Sequence, residues 1–104
     1  MNYNIFLDDR RKPKDCRDYA GDESIYDTEK FVEISNFDDF CKCIRERGVP
    51  KFVSFDYDLG YGGNGLICAE FLKFECDELG LKVPEYRVHS AWPGIYSEFK
   101  KILG

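Results

Sequence analysis

Four short apolar runs, separated by polar or helix-period stretches, most narrowly limit what this chain can fold into. They are Asn4 to Leu7, Phe31 to Ile34, Phe52 to Phe55 and Tyr86 to Val88. Each is too short for a helix and apolar enough for a buried strand. Between the second and third runs, Phe37, Phe40, Cys41 and Ile44 recur at helical spacing. Asn36 is a good amino-terminal cap there, and Asp38 and Asp39 suit the positive end of the helix dipole. Gly48 and Pro50 stop that helix. A second helix is predicted from about Leu66 to Leu79, with Ala69, Leu72, Cys76 and Leu79 on its buried face and Gly80 at its end. Pro93 suits the first position of a third, whose apolar residues are Ile95, Phe99, Ile102 and Leu103. Residues 10–28, which include Pro13 and Gly21, read as a long polar loop; a loop of that length in a compact domain points to function or cover. Strands alternating with helices predict an α/β fold with a parallel sheet and right-handed crossovers. The 104 residues suit one domain over 1–104, not two.

A net charge of −5 and a pI near 4.9 leave no basic footprint for duplex DNA. A phosphate-containing small molecule or an RNA end stays open, because such a ligand needs only a local positive spot. Arg10, Arg11, Lys12 and Lys14 form one basic cluster; Arg45, Arg47 and Lys51 form another. No apolar stretch approaches the roughly 20 residues of a membrane span, so no membrane partner is expected. Met1 to Phe6 does not read as a secretory signal. The five cysteines, Cys16, Cys41, Cys43, Cys68 and Cys76, then read as reduced thiols of a cytoplasmic protein. Structural zinc is not expected: Cys41 and Cys43 face different ways on a helix, and the chain has a single histidine.

In a parallel open sheet, ligands bind beyond the carboxyl ends of the strands. The first run ends in Asp8-Asp9, followed by Arg11; the third in Asp56 and Asp58; the fourth in His89-Ser90. The topology brings these distant segments to one edge. Carboxylates gathered there repel one another unless they share protons or hold a hard cation such as Mg²⁺. Asp8, Asp9 and Asp56 are the candidate metal ligands. Asp56 and Asp58 share one strand face by period two, which favours a functional pairing. His89 is the first choice for acid–base work, because its ordinary pKa lies nearest neutrality. Arg11 offers a forked contact to phosphate, and the amides of Gly60 to Gly65, ahead of a helix, offer an anion cradle. Each feature has a plainer reading: strand-end aspartates cap turns, glycines serve ordinary loops, and basic runs are solvated. Trp92 reads equally as a hydrophobic cover or a base-stacking platform.

The segments LDDRRKP (Leu7 to Pro13), FDYDLG (Phe55 to Gly60), GLICAEFL (Gly65 to Leu72) and HSAWPG (His89 to Gly94) resemble the cyclic-phosphate-processing, receiver-like domains, variants of the response-regulator receiver fold. The resemblance spans nearly the whole chain. It implies a small three-layer receiver-like, or flavodoxin-like, sandwich of about four parallel strands ordered 2-1-3-4. It also implies action on 2′,3′-cyclic RNA ends or related cyclic nucleotides. The family's acidic pair falls on Asp8 and Asp9, its arginine on Arg11 and its proline on Pro13. The receiver-type aspartate falls on Asp56, the following acid on Asp58, and the histidine-serine pair on His89 and Ser90. Two positions depart from the pattern: Tyr57 stands where a histidine is common, and Trp92 where an asparagine is common. The expectation is a phosphoesterase dependent on Mg²⁺ or another divalent cation. His89, Asp56 and Asp58 would be catalytic, and Arg11, Ser90, Gly60, Gly65 and Trp92 would hold the ligand. A binding module that sequesters a cyclic nucleotide is the alternative, since Tyr57 and Trp92 both add stacking surface. A phospho-accepting receiver ranks last, because nothing after His89 supplies a strand-end lysine.

Overall fold

The computed structural model describes residues 3–16, 25–26 and 30–104. Four parallel strands form one sheet: β1 (Asn4–Leu7), β2 (Phe31–Ile34), β3 (Phe52–Phe55) and β4 (Glu85–Val88). Their order is β2-β1-β3-β4, as expected for the receiver-like arrangement. Helices α1 (Phe37–Arg47), α2 (Gly65–Leu79) and α3 (Ile95–Leu103) follow β2, β3 and β4 in turn.

Side-chain alternation divides the sheet. Ile5, Leu7, Val53 and Phe55 face the helices and pack with Phe40, Ile44, Leu72, Phe99 and Leu103 in the main core. Phe6 and Ser54, in register with each other, face the other way. There Phe6 packs with Cys16 and Tyr26 in a second, smaller cluster.

This second layer corrects the reading of residues 10–28 as loop. Pro13–Cys16 is a 3-10 turn and Ile25 and Tyr26 are helical. The apolar surface of Phe6 accounts for the cover, because a sheet buried on both faces needs a partner on each. The remainder of that stretch, Gly21 included, lies outside the described residues.

The helix ends follow local chemistry. Asn36 caps α1 by accepting the Asp39 N–H at 2.8 Å, and Asn64 caps α2 through Ile67 at 3.0 Å. Gly80 closes α2 in the left-handed conformation. Two expectations shift. Leu79 is exposed, and Cys68 takes a place on the buried face instead. Helix α2 is about 22 Å long against about 13 Å of strand, so its last turn overhangs the sheet. Pro93 does not open α3: Gly94, at φ 74°, is the cap, and that left-handed turn must be complete before helical geometry begins. Among the described residues no helix is long and apolar enough to cross a membrane.

Candidate functional site

The register of the strands explains why the acidic residues meet. Leu7, Phe55 and Val88 form one row across β1, β3 and β4. The next row is Asp8, Asp56 and His89, and the ladder still holds it: Asp56 N–H donates to the Leu7 carbonyl at 3.0 Å and His89 N–H to the Phe55 carbonyl at 2.9 Å. Since Leu7 and Phe55 face the helices, this row faces the second layer, above Phe6 and Ser54.

Asp8 is the hub. Its Oδ1 accepts the backbone N–H groups of Arg10 and Arg11, both at 2.8 Å. Its Oδ2 accepts Arg11 Nε at 2.8 Å and pairs with His89 Nε2 at 3.0 Å. Burial alone would push this carboxyl's pKa up. The His89 hydrogen bond, the two backbone donors and the Arg11 charge outweigh it and hold Asp8 well below the usual carboxylate range. Arg11 extends to Asp56, with its terminal nitrogen 3.3 Å from Oδ1. Asp56 Oδ1 also accepts the Tyr57 N–H at 2.8 Å. Burial and the neighbouring Asp8 charge push the Asp56 carboxyl above its ordinary value; His89, the Tyr57 N–H and Arg11 counter this only in part.

His89 does not stand where direct proton transfer to a ligand needs it. The side chain is 0% exposed and stacks on Phe6, with ring centroids 4.6 Å apart. Both ring nitrogens are engaged, Nε2 by Asp8 and Nδ1 by Ser54 Oγ at 2.7 Å. The ring therefore meets the acidic edge by hydrogen bond at Asp8 and acts on Asp56 through space.

The structure separates the other expected residues. Asp9 lies with Asp8 and Asp56, one carboxylate oxygen of each lying within 4.8 Å of the others. Asp58 lies outside this cluster. Strand β3 ends at Phe55, so period-two alternation no longer governs, and the exposed Asp58 accepts the Gly60 N–H at 2.8 Å in a turn. The glycine amides do not form the expected cradle. Gly60 donates to Asp58, Gly62 to Leu59, and Gly65 to the Tyr57 carbonyl. Gly65 has a packing reason instead: a Cβ there would lie 1.9 Å from the Asp56 carbonyl oxygen. Ser90 Oγ accepts the Trp92 N–H at 3.3 Å in a local turn. Trp92 is 58% exposed and meets Tyr57 edge to face at 5.6 Å, next to Asp56 in the chain.

As a divalent-cation site, the three carboxylates fit unequally. Asp8 does not fit the ligand role expected of it, because a carboxylate has room for about four hydrogen bonds and each of its oxygens already accepts two. Asp9 Oδ2 and Asp56 Oδ2 accept none among the described residues. Two hard oxygens suit Mg²⁺, which uses one or two carboxylates and completes its shell with water and phosphate oxygens.

Sequence reasoning missed Ser54, Tyr26 and Phe6. Ser54 was visible as the lone hydroxyl in an otherwise apolar strand, and a buried hydroxyl needs a partner. Cys16 Sγ also lies within 4.8 Å of Asp8 and His89. Burial pushes its thiol up to about 11, so it packs the site rather than reacting in it.

Residues 3–103 match the family model described as the cyclic-phosphate processing receiver domain, and the chain belongs to that family. No curated protein and no solved structure matches it.

Proposed function

We propose that this cyclic-phosphate processing receiver domain opens cyclic phosphodiesters by hydrolysis at its acidic edge. The substrates would be 2′,3′-cyclic phosphate ends of RNA or cyclic nucleotides. Family membership supports the substrate class. The observation that carries the chemistry is the charge balance of the site: two guanidiniums, Arg11 on Asp8 and Asp56 and the exposed Arg10 3.9 Å from Asp9, against the three clustered carboxylates. An anionic phosphate is repelled by such a site unless a further cation enters with it.

Asp9 and Asp56 would hold that cation, Mg²⁺ or a similar hard ion, which offsets the phosphate charge and polarises the phosphorus. Asp8 stays outside this set and anchors Arg11 against Asp56. Hydrolysis adds water to phosphorus, breaks one ring P–O bond and moves a proton to the departing oxygen. With His89 enclosed, Asp58 is the carboxylate left to carry that proton, being exposed and outside the cation set. Tyr57 and Trp92 offer a surface for the base or sugar, and Ser90 stands beside them. The five unpaired thiols fit a reducing, cytoplasmic setting.

A second reading is a binding module that holds the cyclic phosphate unchanged. The enclosure of the chain's one histidine and the Tyr57–Trp92 pair favour it. Incubation with 2′,3′-cyclic AMP, with and without Mg²⁺, followed by chromatography separates the readings. Ring-opened nucleotide identifies the hydrolase, whereas retained but unaltered nucleotide identifies the binder. Neither turnover nor retention would overturn both.

A further inference from the structure

Beneath the acidic row runs a buried chain of hydrogen bonds. Tyr26 Oη lies 2.8 Å from Ser54 Oγ. Ser54 Oγ lies 2.7 Å from His89 Nδ1. His89 Nε2 lies 3.0 Å from Asp8 Oδ2. Tyr26, Ser54, His89 and Asp8 are all buried. Distances alone do not say which atom donates in the first two contacts, but the ends of the chain do.

At the Tyr26 end, the hydroxyl has no hydrogen-bond partner other than Ser54 among the described residues. A buried O–H without an acceptor is costly, so Tyr26 donates to Ser54 Oγ. Ser54 must then donate its own proton to His89 Nδ1, which therefore carries none. At the other end, Asp8 already accepts three N–H donors besides His89. It takes a fourth from His89, so the ring proton sits on Nε2. Both ends give the same direction: Tyr26 to Ser54 to His89 to Asp8.

We infer that Ser54 is a positioning residue of the site, with Tyr26 as its anchor, and that it fixes His89 as the Nε2–H tautomer beneath Asp8. The consequence runs along the row. With all four of its hydrogen bonds made, Asp8 is pinned, Arg11 is held on Asp8, and Arg11 is thereby set against Asp56. Ser54 thus orients the Asp56 carboxylate from beneath, on the same face of the sheet, a role whose functional meaning rests on the phosphoesterase reading above. Phe6, stacked on the imidazole with 4° between the planes, keeps the ring from turning.

Long-range proton–nitrogen NMR of the full chain at neutral pH tests the assignment without any ligand, so its failure is distinct from failure of the phosphate chemistry. With one histidine, the spectrum is unambiguous. The wild type is expected to show a protonated Nε2 and a bare Nδ1. Ser54→Thr, which keeps the hydroxyl, should retain that pattern; in Ser54→Ala, Asp8 still holds the proton on Nε2, and the Nδ1 resonance should move toward that of a bare ring nitrogen that accepts no hydrogen bond. An Nδ1–H tautomer or a doubly protonated ring in the wild type would overturn the inference. So would an unmoved Nδ1 resonance in a folded Ser54→Ala. If Ser54→Ala does not fold, the wild-type spectrum decides alone.

Discussion

Asp8 and Asp56 occupy the same row, yet their environments push them in opposite directions, and the two should respond oppositely to mutation and to pH. The folded-state pKa of Asp8 is depressed. Its contribution to stability is therefore present above the ordinary carboxylate value of about 3.9 and is lost as pH falls through the lower folded value. Asp8→Asn removes the charge and one of the two oxygens that take the Arg10, Arg11 and His89 donors, and should cost about 3 kcal/mol at pH 7. Urea melts would show this loss narrowing below about pH 4. Asp56 has a raised folded pKa. Its contribution is present below the ordinary value and is lost as pH rises through the folded value, so at pH 7 its charge opposes folding. Asp56→Asn should therefore melt at or above the wild-type temperature at pH 7 while losing function. A variant largely unfolded at 25 °C would instead make Asp56 a structural residue. In the proposed reading Asp58 carries the proton, and asparagine keeps an oxygen for the Gly60 N–H: Asp58→Asn should slow turnover by about 10² with little loss of stability, measured as kcat beside a melt.

At the scale of elements, the carboxyl edge depends on how closely α2 approaches the end of β3. Gly65 N–H meets the Tyr57 carbonyl at 2.6 Å, and no Cβ fits between the helix and Asp56. Gly65→Ala must push the first turn of α2 away from the site and should cost about 3 kcal/mol, read from denaturant midpoints. Asn36→Ala removes only a cap and should cost about 1 kcal/mol without touching ligand binding. These elements were legible where the signal is local. The Asn36 cap, the Gly80 stop and the apolar periodicity of α1 depend on residues within a turn of one another. Other assignments failed because they depend on distant neighbours. The amides of Gly60 and Gly65 look available in a glycine-rich loop, but their acceptors are set by how that loop folds onto β3. Leu79 fits the helical period, yet the sheet beneath it is too short to bury it.

For the molecule as a whole, the alternation of strands and helices was enough to read the parallel sheet, and strand polarity was enough to bring Asp8, Asp9, Asp56 and His89 to one edge. The depth at which each would lie was not readable. Alternation sends the row containing His89 toward the second layer, whose polar sequence reads as loop. Cys16 and Tyr26 supply its apolar and hydrogen-bonding contacts, and neither stands in a periodic pattern. The site that results is a carboxylate edge, with Asp8 and Asp56 largely buried and Asp58 exposed, resting on a buried polar chain, and the proposed function is that this edge turns over cyclic phosphates. Phosphorus NMR tests it most directly, by following 2′,3′-cyclic AMP with Mg²⁺ in the presence of wild type and of Asp56→Asn. The wild type should convert the cyclic diester resonance to that of a monoester, chelation of the metal should stop the conversion, and Asp56→Asn should be slower by at least about 10². A cyclic resonance that persists with the wild type, or conversion by Asp56→Asn at the wild-type rate, would contradict it.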